Sequence, residues 1–127
     1  MRGHFSEDRI AIEIEVYGIS PDVKRKITAL VDTGFSGSLT LPFTEAFPLS
    51  LILTGEQSYV LADGTTSRHF VCVGTVVFDG KEVDVAIDVQ QSGPVLIGMD
   101  LLKKLEKKLC IDFADESFEF HDRSKKS

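Results

Sequence analysis

Apolar and polar residues alternate along Ile10-Ala11-Ile12-Glu13-Ile14-Glu15-Val16-Tyr17. Period two carried by β-branched side chains predicts a half-buried strand. Gly18-Ile19-Ser20-Pro21-Asp22 punctuates it as a turn. A second strand is expected from Lys24 to Val31, polar at its start and apolar where it delivers Asp32. Phe35-Ser36-Gly37-Ser38 reads as a small-residue loop, after which Leu39-Thr40-Leu41 resumes extended structure until Pro42. Residues 43–56 carry no clean period, and Pro48 argues against a helix there.

Two Asp-Gly pairs follow, Asp63-Gly64 and Asp79-Gly80, each between runs of strand-forming residues. Both predict hairpins with type I′ turns, which need two residues that tolerate positive φ. Val95-Leu96-Ile97 reads as a short apolar strand. Residues 99–108 place Leu101, Leu102 and Leu105, with Leu109 just beyond, on one helical face opposite Lys103, Lys104, Glu106, Lys107 and Lys108. Leu109 to Phe113 and Ser117 to Phe120 complete a final hairpin. Many short strands and one late helix predict an all-β, closed-barrel-like fold with one short C-terminal α-helix.

Composition narrows the function. The length of 127 residues predicts a single domain, with residues 1–8 and 122–127 as flexible ends. The net charge of −6 argues against a nucleic-acid partner. The basic tail, Arg123, Lys125 and Lys126, reads as a frayed, solvated end. Met1 to Arg9 has no apolar core of a secretory signal, and no apolar stretch is long enough to span a bilayer. A cytoplasmic location without membrane contact is the expectation. Cys72 and Cys110 then read as two reduced, buried thiols. His4, His69 and His121 are scattered without ligand spacing, so no metal and no cofactor is expected.

The candidate chemistry lies in Asp32-Thr33-Gly34, at the end of the apolar run Ile27 to Val31. A carboxylate leaving a buried strand into a tight turn is held rigidly with limited access to water, a setting for acid–base chemistry. The bland reading is a structural carboxylate that accepts backbone hydrogen bonds. Context favours chemistry: Val95-Leu96-Ile97-Gly98-Met99-Asp100-Leu101-Leu102 stands downstream, an apolar run and a glycine opening a helical pattern. The two motifs, in this order and at this separation, resemble the retropepsin-like aspartic proteases over roughly residues 10 to 120.

Peptide hydrolysis by carboxylates needs two of them sharing one proton, since both cannot be ionised at contact distance. Asp63, Asp88 and Asp100 are the candidates within one chain for a second group, but none repeats the Thr-Gly context. The resemblance implies a homodimer, with Asp32 from each chain activating a shared water. It also implies that Thr33 braces the pair and that Gly34 permits close backbone approach. It makes the hairpin from Tyr59 to His69 a flap over an extended peptide or unfolded protein substrate. Phe35, Ser36, Leu61, Ala62, Asp63, Gly64 and Ile97 are then the expected substrate-binding residues. Viral members often carry an acidic residue and an arginine that pair near the interface, where this chain has Ser36 and Met99. Leu109 to Phe113 and Ser117 to Phe120 are the candidate interface strands. The competing class is a non-catalytic peptide-binding or dimerisation module that keeps the fold; a third reading is a monomer with a degraded site.

Overall fold

The computed structural model describes residues 1–123, and the Lys125 and Lys126 part of the tail expectation lies outside them. Among the described residues ten strands make two sheets, joined by two short α-helices. Strands β1 (Arg2–His4), β2 (Ala11–Tyr17), β3 (Arg25–Val31) and β4 (Leu39–Pro42) precede helix α1 (Phe43–Ala46). Strands β5 (Ile52–Val60), β6 (Thr66–Phe78), β7 (Lys81–Gln90) and β8 (Leu96–Ile97) lead to helix α2 (Met99–Leu105). Strands β9 (Lys107–Asp112) and β10 (Ser117–Asp122) end the described chain.

The larger sheet runs β2-β3-β8-β4-β7-β6-β5, and β6 also pairs with β2. That last pairing, Val16 opposite Val76, closes six strands into a barrel and leaves β5 outside it. Alternation then fixes the interior. Ile12, Ile14 and Val16 of β2 point inward with Ala29 of β3, Leu39 and Leu41 of β4, Val76 of β6 and Ile87 of β7, all buried. The smaller sheet, β1-β10-β9, covers one end. Phe118 and Phe120 of β10 are buried there, the latter edge-on to Phe78 at 5.1 Å. The all-β barrel expected from the pattern is the observed fold.

Several expectations need correction. The hairpin at Asp79-Gly80 has the anticipated two positive-φ residues (φ 50° and 79°), but at Asp63-Gly64 only Gly64 is left-handed (φ 85°). There Gly64 N–H donates to Leu61 O and Leu61 N–H donates to Thr65 O, a three-residue loop with a glycine bulge. Helix α2 stops at Leu105, because Glu106 turns left-handed (φ 54°) and its N–H donates to Lys103 O; Leu109 therefore lies in β9. Residues 43–49 form α1 and a single 3-10 turn, with Pro48 accommodated in that turn's first residues. The ends are tied in as well. Arg2–His4 pairs with Glu119, Phe118 and Ser117, the Met1 ammonium donates to Phe120 O, and Asp122 belongs to β10. Arg2-Gly3-His4 has no apolar alternation to announce a strand. Gly3 lies over the Phe118 ring, where a Cβ would come within 2.7 Å of Cζ. Cys72 is buried, and burial pushes its thiol pKa up, whereas Cys110 is exposed on β9.

One ion-pair cluster ties the barrel to the covering sheet. Lys107 Nζ lies 2.9 Å from Asp79 in the β6–β7 turn and 2.6 Å from Asp122 in β10. The Asp122 and Asp79 carboxylates raise the Lys107 pKa, and the Lys107 ammonium lowers that of Asp79. The Asp79 contribution is present above the ordinary carboxylate pKa and is lost as pH falls through the lowered folded value. The Lys107 contribution is present below the ordinary lysine pKa and is lost as pH rises through the raised value. Urea midpoints taken from about pH 3 to 11 should fall more steeply at both limbs in wild type than in Lys107→Met. Superimposable profiles would refute the pairing.

Candidate active site

The strand β8 builds the site. It lies between β3 and β4, with Val31 opposite Ile97 in parallel and Leu39 opposite Ile97 in antiparallel register. The segment 95–100 thereby holds both sides of the loop 32–38. Asp32 N–H donates to Ile97 O at 2.9 Å, and Gly98 N–H donates to Ser38 O at 3.0 Å. Met99 N–H donates to Phe35 O and Asp100 N–H to Gly37 O. Gly98 is required by this close approach: a Cβ there would stand 2.2 Å from Gly37 O. The later motif thus passes directly against the Asp-bearing loop.

Asp32 is half-buried, and its Oδ1 accepts Gly34 N–H at 2.9 Å. Among the described residues its other carboxylate oxygen receives no hydrogen bond. Thr33, Gly34 and Ser36 are exposed, and Phe35 packs over Gly37 and Gly98. Asp32 and Thr33 open onto a cleft of about 400 Å3, walled by Phe5, Leu96, Leu109, Ile111 and Phe113, with Asp8 and Arg9 also on its rim. Sequence reasoning had Leu109 to Phe113 as an interface strand but missed Phe5, Asp8 and Arg9, which only the fold brings to the same cleft from the other end of the chain. Ile97 must be corrected: it is fully buried, because β8 alternation turns it into the barrel and presents Leu96 to the cleft.

Leu61, Ala62, Asp63 and Gly64 form the exposed tip of the β5–β6 hairpin. The Thr65 hydroxyl and N–H both donate to the Asp63 carboxylate, and they hold its pKa below the usual range. Leu61 lines a separate cleft of about 440 Å3 with His69 and Gln90 to Ser92. The other two carboxylates also have their own surroundings. Asp88 lies on β7, and burial raises its pKa against the opposing influence of His69. Asp100 accepts a short hydrogen bond from the buried Ser38 hydroxyl and pairs with Lys104 at 3.2 Å. Ser38, then Lys104, keep the Asp100 carboxyl below the usual range. This tie joins loop to helix where Ser36 and Met99 carry no charge.

The fold has a solved counterpart. No protein-family model matches the chain, and no curated protein matches it. The structure of EIAV protease complexed with the inhibitor HBY-793 is similar to it, with a TM-score of 0.61 and 18% identity. The match covers 83% of this chain and 95% of that one. The chain has a retropepsin-like fold. Within that fold the Asp32 loop and the Gly98 segment meet at one end of β3, and the hairpin tipped by Asp63-Gly64 is exposed.

Ser38→Ala is expected to raise the Asp100 carboxyl pKa toward its ordinary value, read by carboxyl-carbon NMR titration. It should also cost about 1 kcal/mol of stability in urea unfolding. An unchanged Asp100 titration would show that the bond does not form in solution.

Proposed function

We propose that the chain is an aspartic endopeptidase whose active form is a pair of chains. The observation that carries this reading is the placement of Asp32, on a loop fixed on both sides by β8, with one free carboxylate oxygen facing an open cleft. Each chain supplies one such group, and a two-fold axis supplies its equivalent. The ionised member of the pair takes a proton from a shared water. The water oxygen bonds to the scissile carbonyl carbon as the protonated member gives its proton to the carbonyl oxygen. The resulting diol collapses, the carbon–nitrogen bond breaks, and the amine leaves with a proton from the pair. No metal or cofactor enters the reaction.

The surroundings support each role. Thr33 is exposed beside Asp32, where its hydroxyl reaches a partner's loop, and Gly34 lets the two backbones approach. Leu109 and Ile111 of β9, with Phe113 just after it, continue the cleft wall as an interface; Phe113 is 76% exposed in the single chain, and its ring stands edge-on to Phe5 at 6.1 Å. The β5–β6 hairpin serves as a lid that excludes water and pairs with an extended peptide. The separation of the flap-tip cleft from the Asp32 cleft fits a site completed by the partner.

Asp32→Asn should lower cleavage of unfolded protein by on the order of 10³-fold, the scale of lost acid–base catalysis, with mass and thermal unfolding unchanged. Equal peptide binding without cleavage by either protein would favour the non-catalytic module. Phe113→Asp should shift the mass measured by light scattering from two chains to one and abolish cleavage. Full activity at the mass of one chain would defeat the dimer reading.

A further inference from the structure

The hairpin of β5 and β6 leaves the barrel where β6 parts from β7. The β6–β7 ladder begins at Phe70 opposite Val89, while Gln90 of β7 goes on beside Pro42 of β4. From Thr66 to His69 the strand β6 is paired with Val60 to Gln57 of β5. His69 is therefore the first residue of the projecting arm, one position beyond the last β6–β7 rung, and Asp88 lies one position inside that rung. The cleft of about 440 Å3 opens at this fork, with Ser67, Arg68 and His69 on one side and Gln90, Gln91 and Ser92 on the other.

Strand parity gathers the ionisable groups of the fork on one face. Ser67, His69 and Val71 share the outer face of β6, and Asp88, opposite Val71, shares it on β7. All four are half-buried, whereas Thr66, Arg68 and Phe70 on the other face are exposed. The Ser67 hydroxyl and His69 Nε2 are 3.0 Å apart. Asp88 is the diagonal neighbour of His69 across the ladder, a spacing that long side chains bridge. Burial raises the Asp88 pKa, and the field of His69 opposes that rise, so the two groups are electrostatically coupled. The other positions of this face around them hold uncharged residue types. Gln57 and Tyr59 stand opposite His69 and Ser67 in the β5 ladder, Gln90 follows on β7, and Gln91 and Ser92 complete the cleft. Asp84 lies further along the same face of β7, where the Thr75 hydroxyl donates to it. The Arg68–Glu56 pair is on the opposite face.

We propose that His69 and Asp88 form a pH-dependent latch at the root of the hairpin, fastened in mild acid and released at neutral pH and above. The inference rests on the peptidase reading only in making the latched hairpin the lid of the site. Imidazole is the side chain whose charge changes between about pH 5 and 8. When His69 takes up its proton, the first residue of the arm becomes a cation beside a carboxylate fixed in the barrel. Their attraction is present below the pH at which His69 loses that proton and above the pH at which Asp88 gains one. Burial of Asp88 brings the lower limit up, so the latch works over a narrow acid window. The arm beyond it has little apolar burial, and a single pair at the fork therefore weighs on how readily it opens.

Amide hydrogen exchange read by NMR tests the latch without any cleavage. After correction for intrinsic exchange, the amides of residues 66–70 in wild type should be protected about fivefold more at about pH 5.5 than at about pH 7.5, the scale of an opposite-charge cross-strand pair. The gain should be absent from His69→Gln and from Asp88→Asn. The Asp88 carboxyl carbon should show a second inflection near neutral pH, and His69→Gln should remove it. Equal protection at the two pH values, or a gain that survives in both variants, overturns the latch whether or not the chain is a peptidase. An Asp88 titration unchanged by His69→Gln overturns it as well. A latch that responds to pH in a protein that cuts no unfolded substrate overturns the peptidase reading alone.

Discussion

Everything at the site depends on how closely the peptide at Gly98 approaches the loop that follows Asp32. A side chain cannot fit between Gly98 and the Gly37 carbonyl, so the two segments touch backbone to backbone. Four hydrogen bonds then run from residues 97–100 to the loop, three given by Gly98, Met99 and Asp100 and one received by Ile97 from Asp32. A loop held at both ends by a core strand gives up conformational freedom when the protein folds and not when substrate binds. The buried Ile97 anchors that strand in the barrel, and Leu96 next to it is left to face the cleft. One two-residue strand thus sets core packing, carboxylate position and cleft wall together.

On the peptidase reading proposed above, the same geometry makes a single chain half of a hydrolytic site. Asp32 spends one oxygen on Gly34 and keeps the other free. Asp63 is closed on Thr65 and Asp100 on Ser38 and Lys104, so neither is available as its neighbour. Asp88 sits on the face of the hairpin opposite to Phe70 and Cys72, since it stands opposite Val71 in the ladder. Asp8 shares the rim of the cleft but not the strand-held Thr-Gly turn of Asp32, and on the proposed reading the second carboxylate is another Asp32. The cleft wall of Phe5, Ile111 and Phe113 leaves apolar surface next to Asp32, the kind of surface an isologous contact covers.

The barrel was legible in the chain because its strands alternate cleanly: Ile12, Ile14 and Val16 announce β2, and Val85, Ile87 and Val89 announce β7. The importance of the Asp32 and Gly98 segments was legible from the resemblance of two motifs, since a glycine after an apolar run carries no such meaning by itself. What stayed hidden depends on long-range partners. β1 has no apolar face and exists because β10 offers it an edge. The end of α2 at Glu106 is set by a left-handed residue that nothing in the local pattern marks. Ile97 looked like a groove residue because its neighbours are equally apolar, and only the register with Val31 and Leu39 decides which of two adjacent residues turns inward.

The hairpin of β5 and β6 stands apart from this economy. β5 is exposed along its described length and, among the described residues, is hydrogen-bonded as a strand to β6 alone, so little apolar burial holds its outer half in place. Segments with few buried contacts open at low free energy, which suits a lid. An exposed edge strand of nine residues is also a hazard, because a sheet edge can recruit other chains. Two features limit that pairing. The register slips between Leu53 and Gly55, which breaks the regular ladder, and the Arg68–Glu56 pair puts charge on the face that looks toward the barrel mouth. The hairpin therefore resists flat, indiscriminate sheet extension, and on the proposed reading it still closes over a peptide held in the cleft.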